Sequence, residues 1–237
     1  MKDDTVVLAG VGPGLGKSLV QKFAREGCRV AMFARSANYL NQLAEDLREE
    51  GRTVLAVPTD ITRPDEVKHG FRAVRREFGS VDVLINHASY ARWKGVRDLA
   101  AADFEQAWRV AAYGGFLCAQ EAVPDMLAAA AGTILFTGAT SAVRGAAGSL
   151  GFASAKFAVR GMAQSLAREL GPLGIHVAHV IIDGQIDTPR VRGMYPDRAD
   201  NTFLNPDRIA EIYWHLASQD RTTWTLELDL RPSPERF

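Results

Sequence analysis

The densest chemical signal in the sequence is four glycines in seven residues, Gly10-Val11-Gly12-Pro13-Gly14-Leu15-Gly16. Backbone without side chains lets a diphosphate reach the free N–H groups at a helix start, where the helix dipole is positive. An apolar run, Thr5–Ala9, precedes the glycines, and Leu15, Leu19, Val20 and Phe23 follow at helical spacing. The cluster therefore falls on a strand-to-helix turn. A tight turn by itself explains one or two glycines, hardly four. The second apolar run ends Phe33-Ala34-Arg35-Ser36. A carboxylate at that strand tip holds the adenosine-ribose hydroxyls of NAD, whereas a guanidinium and a hydroxyl suit the 2′-phosphate of NADP(H). Arg35 and Ser36 point to the phosphorylated cofactor, against the plainer reading of a solvated arginine and a helix cap. His176 and His179 read as sharing one face of a strand. No Cys, Asp or Glu completes a ligand set there, so no metal is expected.

Chemistry of this kind needs elements to hold it. Short β-branched and apolar runs recur at Thr5–Ala9, Arg29–Ala34, Val54–Pro58, 81–86, 133–138, Ile175–Ile182 and 224–230, each followed by a helix-sized interval. Leu40, Leu43, Ala44 and Leu47 mark one amphipathic helix, and Val67, Phe71, Val74 and Phe78 another, with Ser36 and Thr62 placed as caps. Seven alternating strands predict an α/β fold: a doubly wound parallel sheet, helices on both faces, of Rossmann type. Neither an internal repeat nor a long polar linker interrupts the chain, so one domain is expected over 1–237, with 188–205 its single irregular segment.

Lys+Arg and Asp+Glu balance at 28 each. Such a chain has no long-range field to gather nucleic acid or an anionic membrane, and a neutral small-molecule substrate suits it better. No stretch is long enough to span a bilayer, and the opening residues lack the apolar region of a signal peptide. Cys28 and Cys118 stand in apolar surroundings, consistent with buried thiols in a reducing compartment. A cytoplasmic location is expected.

With these residues in order, the chain resembles the short-chain dehydrogenase/reductase family from Val6 to about Leu230. The family's Gly-x-x-x-Gly-x-Gly turn matches Gly10, Gly14 and Gly16, with Leu15 between the last two, although Pro13 stands where NADP-preferring members often carry a basic residue. Asp60-Ile61 is similar to the family's adenine-contacting pair. Asn86-His87-Ala88-Ser89 is similar to its Asn-Asn-Ala-Gly segment, changed at two positions, which places Asn86 and Ala88 beside the adenosine half. Asp183-Gly184-Gln185-Ile186-Asp187-Thr188 corresponds to Pro-Gly-x-x-x-Thr, which implies Gly184, Ile186 and Thr188 next to the nicotinamide.

The resemblance also shows what is missing. The family's proton chemistry rests on Tyr-x-x-x-Lys, two side chains one helical turn apart whose ammonium lowers the phenol pKa. Here the segment reads Phe152-Ala153-Ser154-Ala155-Lys156. Lys156 is retained, and the family's serine and helix asparagine fall at Ala139 and Ala111. A small slip in alignment restores a hydroxyl at Thr140 or Ser141, so Ser141 is a catalytic candidate, whereas no slip restores the tyrosine. Ser154 is expected to point away from Lys156, and Ser149 to face it only if the helix starts early. His87 and Asp183 are further candidates by their place near the nicotinamide. Three readings stay open: an NADP(H)-dependent oxidoreductase of a small carbonyl, alcohol or imine with an atypical proton donor, a non-catalytic NADP(H)-binding sensor or partner subunit, and lyase, isomerase or cyclase chemistry without net redox. The resemblance further implies a homodimer or homotetramer, joined through Phe116, Leu117, Val123, Phe157, Met162 and Leu166.

Overall fold

In the computed structural model, which describes residues 1–234, seven parallel strands form one sheet. Its main strands are β1 (Thr5–Ala9), β2 (Arg29–Ala34), β3 (Val54–Pro58), β4 (Val83–Asn86), β5 (Gly132–Thr137) and β6 (Ile175–Ile182). Two two-residue strands, β7 (Gln185–Ile186) and β8 (Phe203–Leu204), pair with each other, and β9 (Glu227–Leu230) closes the sheet in the order β3-β2-β1-β4-β5-β6-β9. From β1 the chain winds outward through β2 and β3, then returns to add β4 on β1's other side. That reversal opens a crevice beyond the carboxyl ends of β1 and β4.

The helices follow the apolar stripes. Helix α1 (Leu15–Arg25) buries Leu15, Leu19, Val20 and Phe23; α2 (Ala37–Glu49) buries Leu40, Leu43, Ala44 and Leu47; α3 (Pro64–Phe78) buries Val67, Phe71, Val74 and Phe78. Alternate residues of each strand serve opposite cores. Val7, Leu84, Ile134 and Val177 face α3, α5 (Gly114–Ala129) and α6 (Leu150–Leu170), while Leu8, Ile85, Leu135 and Ala178 face α1, α2 and α8 (Pro206–Ala217). Between α4 (Ala101–Trp108) and α5 lies a π-helical turn, Arg109–Tyr113.

Several expectations shift. The 81–86 run is regular strand only from Val83: Asp82 still exchanges backbone bonds with Thr5 and Thr133, but its carboxylate takes the Thr5 N–H at 2.7 Å and the Val81 N–H goes to Asp125. The 224–230 run pairs only from Glu227, following a 3₁₀ turn at Arg221–Thr223. Thr62 caps no helix: Arg63 holds the N-cap position of α3, and the Thr62 hydroxyl donates to Asp60. The 188–205 segment is ordered, as a short helix α7 (Pro189–Met194), a 3₁₀ turn and β8. His176 and His179, three residues apart on a strand, lie on opposite faces. His176 bonds the Thr225 carbonyl and stacks on Trp224, and His179 bonds Glu227. Among the described residues no His, Cys, Asp and Glu cluster is arranged to hold a metal. Leu117 is buried in the chain's own core, and Val123, Met162 and Leu166 pack against it, so of the residues expected at a subunit interface only Phe116 and Phe157 are exposed. No described helix is long and apolar enough to cross a membrane.

Candidate active site

A cavity of about 370 Å³ occupies the crevice beyond β1 and β4. Its floor is the turn after β1, tied down by Gly10 and Val11 N–H groups that donate to the Phe33 carbonyl at 2.8 and 3.0 Å. The facing wall is the turn after β4, where the His87 and Ala88 N–H groups both donate to the Ala9 carbonyl at 2.9 Å. The two turns touch. Gly10 has φ +102°, and a Cβ there would run into the Ala88 backbone. Gly14, the residue before α1, has φ +121°, and a Cβ there would lie 2.7 Å from the Thr188 methyl. Gly16 closes against Gly10 and Val11, but Gly12 has nothing near it. The steric demand thus falls on Gly10, Gly14 and Gly16, and Gly12 is a spacer.

Arg35 and Ser36 line the same cavity and are exposed. Ser36 occupies the N-cap position of α2 without a side-chain capping bond, which leaves its hydroxyl to a ligand. Asp60 and Ile61 form the third side, with Asp60 Oδ1 accepting from the Thr62 N–H at 3.0 Å and its hydroxyl at 2.8 Å. The bare backbone at a helix start, with Arg35 and Ser36 on the same cavity, could hold a dinucleotide, the helix-start amides facing its diphosphate.

Past the cavity the polar groups gather around the end of β5. Lys156, buried on α6, donates from Nζ to the Thr137 carbonyl at 2.7 Å, and burial lowers its pKa to about 8. The Phe152 ring lies one turn earlier, its centroid 5.6 Å from Nζ, and packs on the Trp93 ring at 5.4 Å. A hydrocarbon face therefore meets the ammonium where a phenol would. His87 Nδ1 is 3.2 Å from the Thr137 hydroxyl, and burial, then the charge of Lys156, lowers the His87 pKa to about 4. Asn86 is buried, and neither amide heavy atom has a hydrogen-bond partner among the described residues.

The hydroxyl candidates sort by their partners. Ser149 immediately precedes α6 and bonds back to Ala146, and Ser154 donates to the Leu150 carbonyl at 2.8 Å, so neither turns to Lys156. Thr140 donates to Asp183 at 2.5 Å. Ser141 is buried on the 3₁₀ turn after β5 and makes no hydrogen bond among the described residues. Asp183 is buried between Arg144 at 3.5 Å and Arg231 at 3.3 Å and accepts the Thr140 hydroxyl, so the polar contacts of its carboxylate run to side chains of the protein. Gly184 packs on Pro232, Ile186 lies in β7, and the Thr188 hydroxyl caps α7 by accepting the Val191 N–H at 3.2 Å.

The family model for short-chain dehydrogenases matches residues 4–199. The chain belongs to the short-chain dehydrogenase/reductase family. This short-chain dehydrogenase/reductase is 27% identical over 232 residues to an uncharacterized oxidoreductase of Staphylococcus aureus strain N315, covering 98% of each chain. It resembles the crystal structure of a short-chain dehydrogenase from Rhodopseudomonas palustris at 33% identity and TM-score 0.85, covering 98% of this chain and 100% of that one. It also resembles an alcohol dehydrogenase from the archaeon Thermococcus sibiricus complexed with 5-hydroxy-NADP, at 25% identity and TM-score 0.88, covering 98% of each. Sequence reasoning did not single out Thr137, Tyr213, Trp93, Arg144 or Arg231 in this site. Each sits in an apolar or loop setting with no local pattern, and only the fold brings it near.

Proposed function

We propose that this short-chain dehydrogenase/reductase is an NADP(H)-dependent oxidoreductase of a small carbonyl or alcohol, or of an imine, that takes its proton from a group other than the family's tyrosine. The observation that carries the reading is the β2 tip. Arg35 and Ser36 stand exposed on the cavity with no carboxylate between them. A cofactor-bound relative, the archaeal alcohol dehydrogenase, supports it. When bound, the nicotinamide supplies the hydride. The chain's own residues orient and exclude water. The turn from Gly12 to Gly16 offers N–H groups to the diphosphate, and Arg35 takes the 2′-phosphate. Lys156, anchored by one N–H to Thr137, keeps its other N–H bonds for ribose hydroxyls. Phe152 exchanges no proton. Losing a positioned acid lowers a rate by about 10²–10⁴, which leaves a slow enzyme that still benefits from orientation.

Cofactor fluorescence titration tests the reading: NADPH binds at least several-fold tighter than NADH, and Arg35→Asp reverses the order. Equal affinities would overturn the cofactor assignment. A screen for NADPH consumption over aldehydes, ketones and imines tests the chemistry. Tight binding without turnover on any of them would favour a sensor or non-redox role for the pocket. Two free, buried thiols and this cofactor accord with a cytoplasmic site of action.

A further inference from the structure

One polar chain runs through the sheet. Tyr213, on α8, is fully buried, and its hydroxyl lies 2.7 Å from the Thr137 hydroxyl, which in turn lies 3.2 Å from His87 Nδ1. Among the described residues the Tyr213 oxygen has no other partner, so its hydrogen is satisfied only by donation to Thr137. A buried donor left without an acceptor is costly, so this bond is kept. Thr137, now accepting from Tyr213, has one hydrogen of its own, and the acceptor within reach is His87 Nδ1. The sequence of donors Tyr213 → Thr137 → His87 leaves the imidazole with its hydrogen on Nε2. That nitrogen bonds to no described residue and is not sealed from solvent, and His87 lines the cavity.

We propose that His87 is a positioning residue for the bound dinucleotide, held by Thr137 and Tyr213 in the neutral Nε2–H form, so that one fixed N–H donates to an oxygen of the ligand. The inference rests on the dinucleotide reading of the cavity, but its first half concerns the free protein alone. The lowered pKa of His87 agrees, since a neutral ring keeps one donor and one acceptor at neutral pH. Thr137 thereby sets two groups at once: its carbonyl holds the Lys156 ammonium and its hydroxyl the His87 ring. Tyr213 acts through Thr137 from the opposite face of the sheet, out of reach of any ligand in the cavity.

The experiment is ¹⁵N NMR of the histidine side chains at neutral pH, followed by NADPH titration. In the free wild type the His87 ring shows the shift pattern of the Nε2–H tautomer. Thr137→Val and Tyr213→Phe, both near-isosteric, shift the ring toward a mixture with Nδ1–H and weaken NADPH binding by about 3- to 10-fold, the worth of one neutral hydrogen bond. His87→Gln, which returns an amide N–H near the Nε2 position, holds binding within about 2-fold, while His87→Phe loses about 10-fold. A wild-type Nδ1–H tautomer overturns the proposal. So does unchanged NADPH affinity in folded Thr137→Val, Tyr213→Phe and His87→Phe proteins, folding being checked by circular dichroism. If the tautomer is Nε2–H and wild type binds no NADPH, the cofactor reading fails by itself, and His87 then has no dinucleotide to position.

Discussion

At the scale of single residues, the site turns on a buried lysine whose partner has lost its hydroxyl. Phe152→Tyr places a phenol one turn from Lys156, and the ammonium lowers its pKa toward a useful range. NADPH-dependent reduction of a generic aldehyde is expected to rise about 10- to 100-fold, short of the full 10²–10⁴ of a positioned acid because Ala139 and Ala111 supply no second donor. The double change with Ala139→Ser should exceed either alone. If wild type already turns its substrate over quickly and Phe152→Tyr slows it, the proton comes from elsewhere and the pocket is not a degraded version of the usual one. Lys156 also carries a pH signature. Its folded pKa of about 8 lies below the ordinary lysine value of 10.5, so the fold disfavours the charged form. Below pH 8 the burial penalty is fully present; between 8 and 10.5 the native state sheds its proton first, and the penalty fades as pH rises. Lys156→Met is therefore expected to be more stable than wild type at pH 7, by about 1–3 kcal/mol in urea, with the gap closing toward pH 10, while NADPH affinity falls. Residue type and position made the glycines and Arg35 legible, and the family resemblance made Lys156 and Phe152 so. Tyr213 was not, since its partner Thr137 is 76 residues away and a tyrosine on a helix carries no sign of what it will meet across a sheet.

At the scale of elements, the turn between β1 and α1 is where backbone conformation and ligand geometry coincide. Gly10→Ala would put a side chain at φ +102° against the Ala88 backbone, so the two turns lining the cavity have to part. The expected result is a loss of roughly 2–4 kcal/mol in thermal or urea unfolding together with loss of NADPH binding. Gly12→Ala, in open space, should leave both nearly intact, which makes it the control. Strands and helix stripes were readable because each residue type and period reports which face is buried. Strand ends were less so: the Asp82 carboxylate takes the Thr5 N–H in addition to backbone bonds with Thr5 and Thr133, which no hydrophobic pattern encodes. The π-helical turn escaped for a related reason. One extra residue per turn at Arg109–Tyr113 rotates the stripe without altering composition, and it sets Ala111 on the buried side.

For the whole molecule, the outer faces of α4, α5 and α6 carry more aromatic surface than the chain covers. Phe104, Trp108, Phe116 and Phe157 are 41%, 46%, 45% and 44% exposed. A patch of this kind is characteristic of an isologous interface. Light scattering at micromolar concentration is expected to give a dimer or tetramer, and Phe116→Glu with Phe157→Glu to shift it to monomer. A monomeric wild type would contradict this. The segment from Asp187 to Leu204 is organised differently. Its entrance and exit pair with each other, Gln185 with Phe203 and Ile186 with Leu204, and not with the seven-stranded sheet. Inside it, Arg192 grips Asp187 with two bonds of 2.7 Å, reaches Asp200 and lies 4.2 Å over the Phe203 ring. Apart from Thr188, whose methyl lies close to Gly14, its named bonds close within the stretch. Because its two ends lie side by side, a change in the length of this segment leaves the spacing of the strands beneath it untouched.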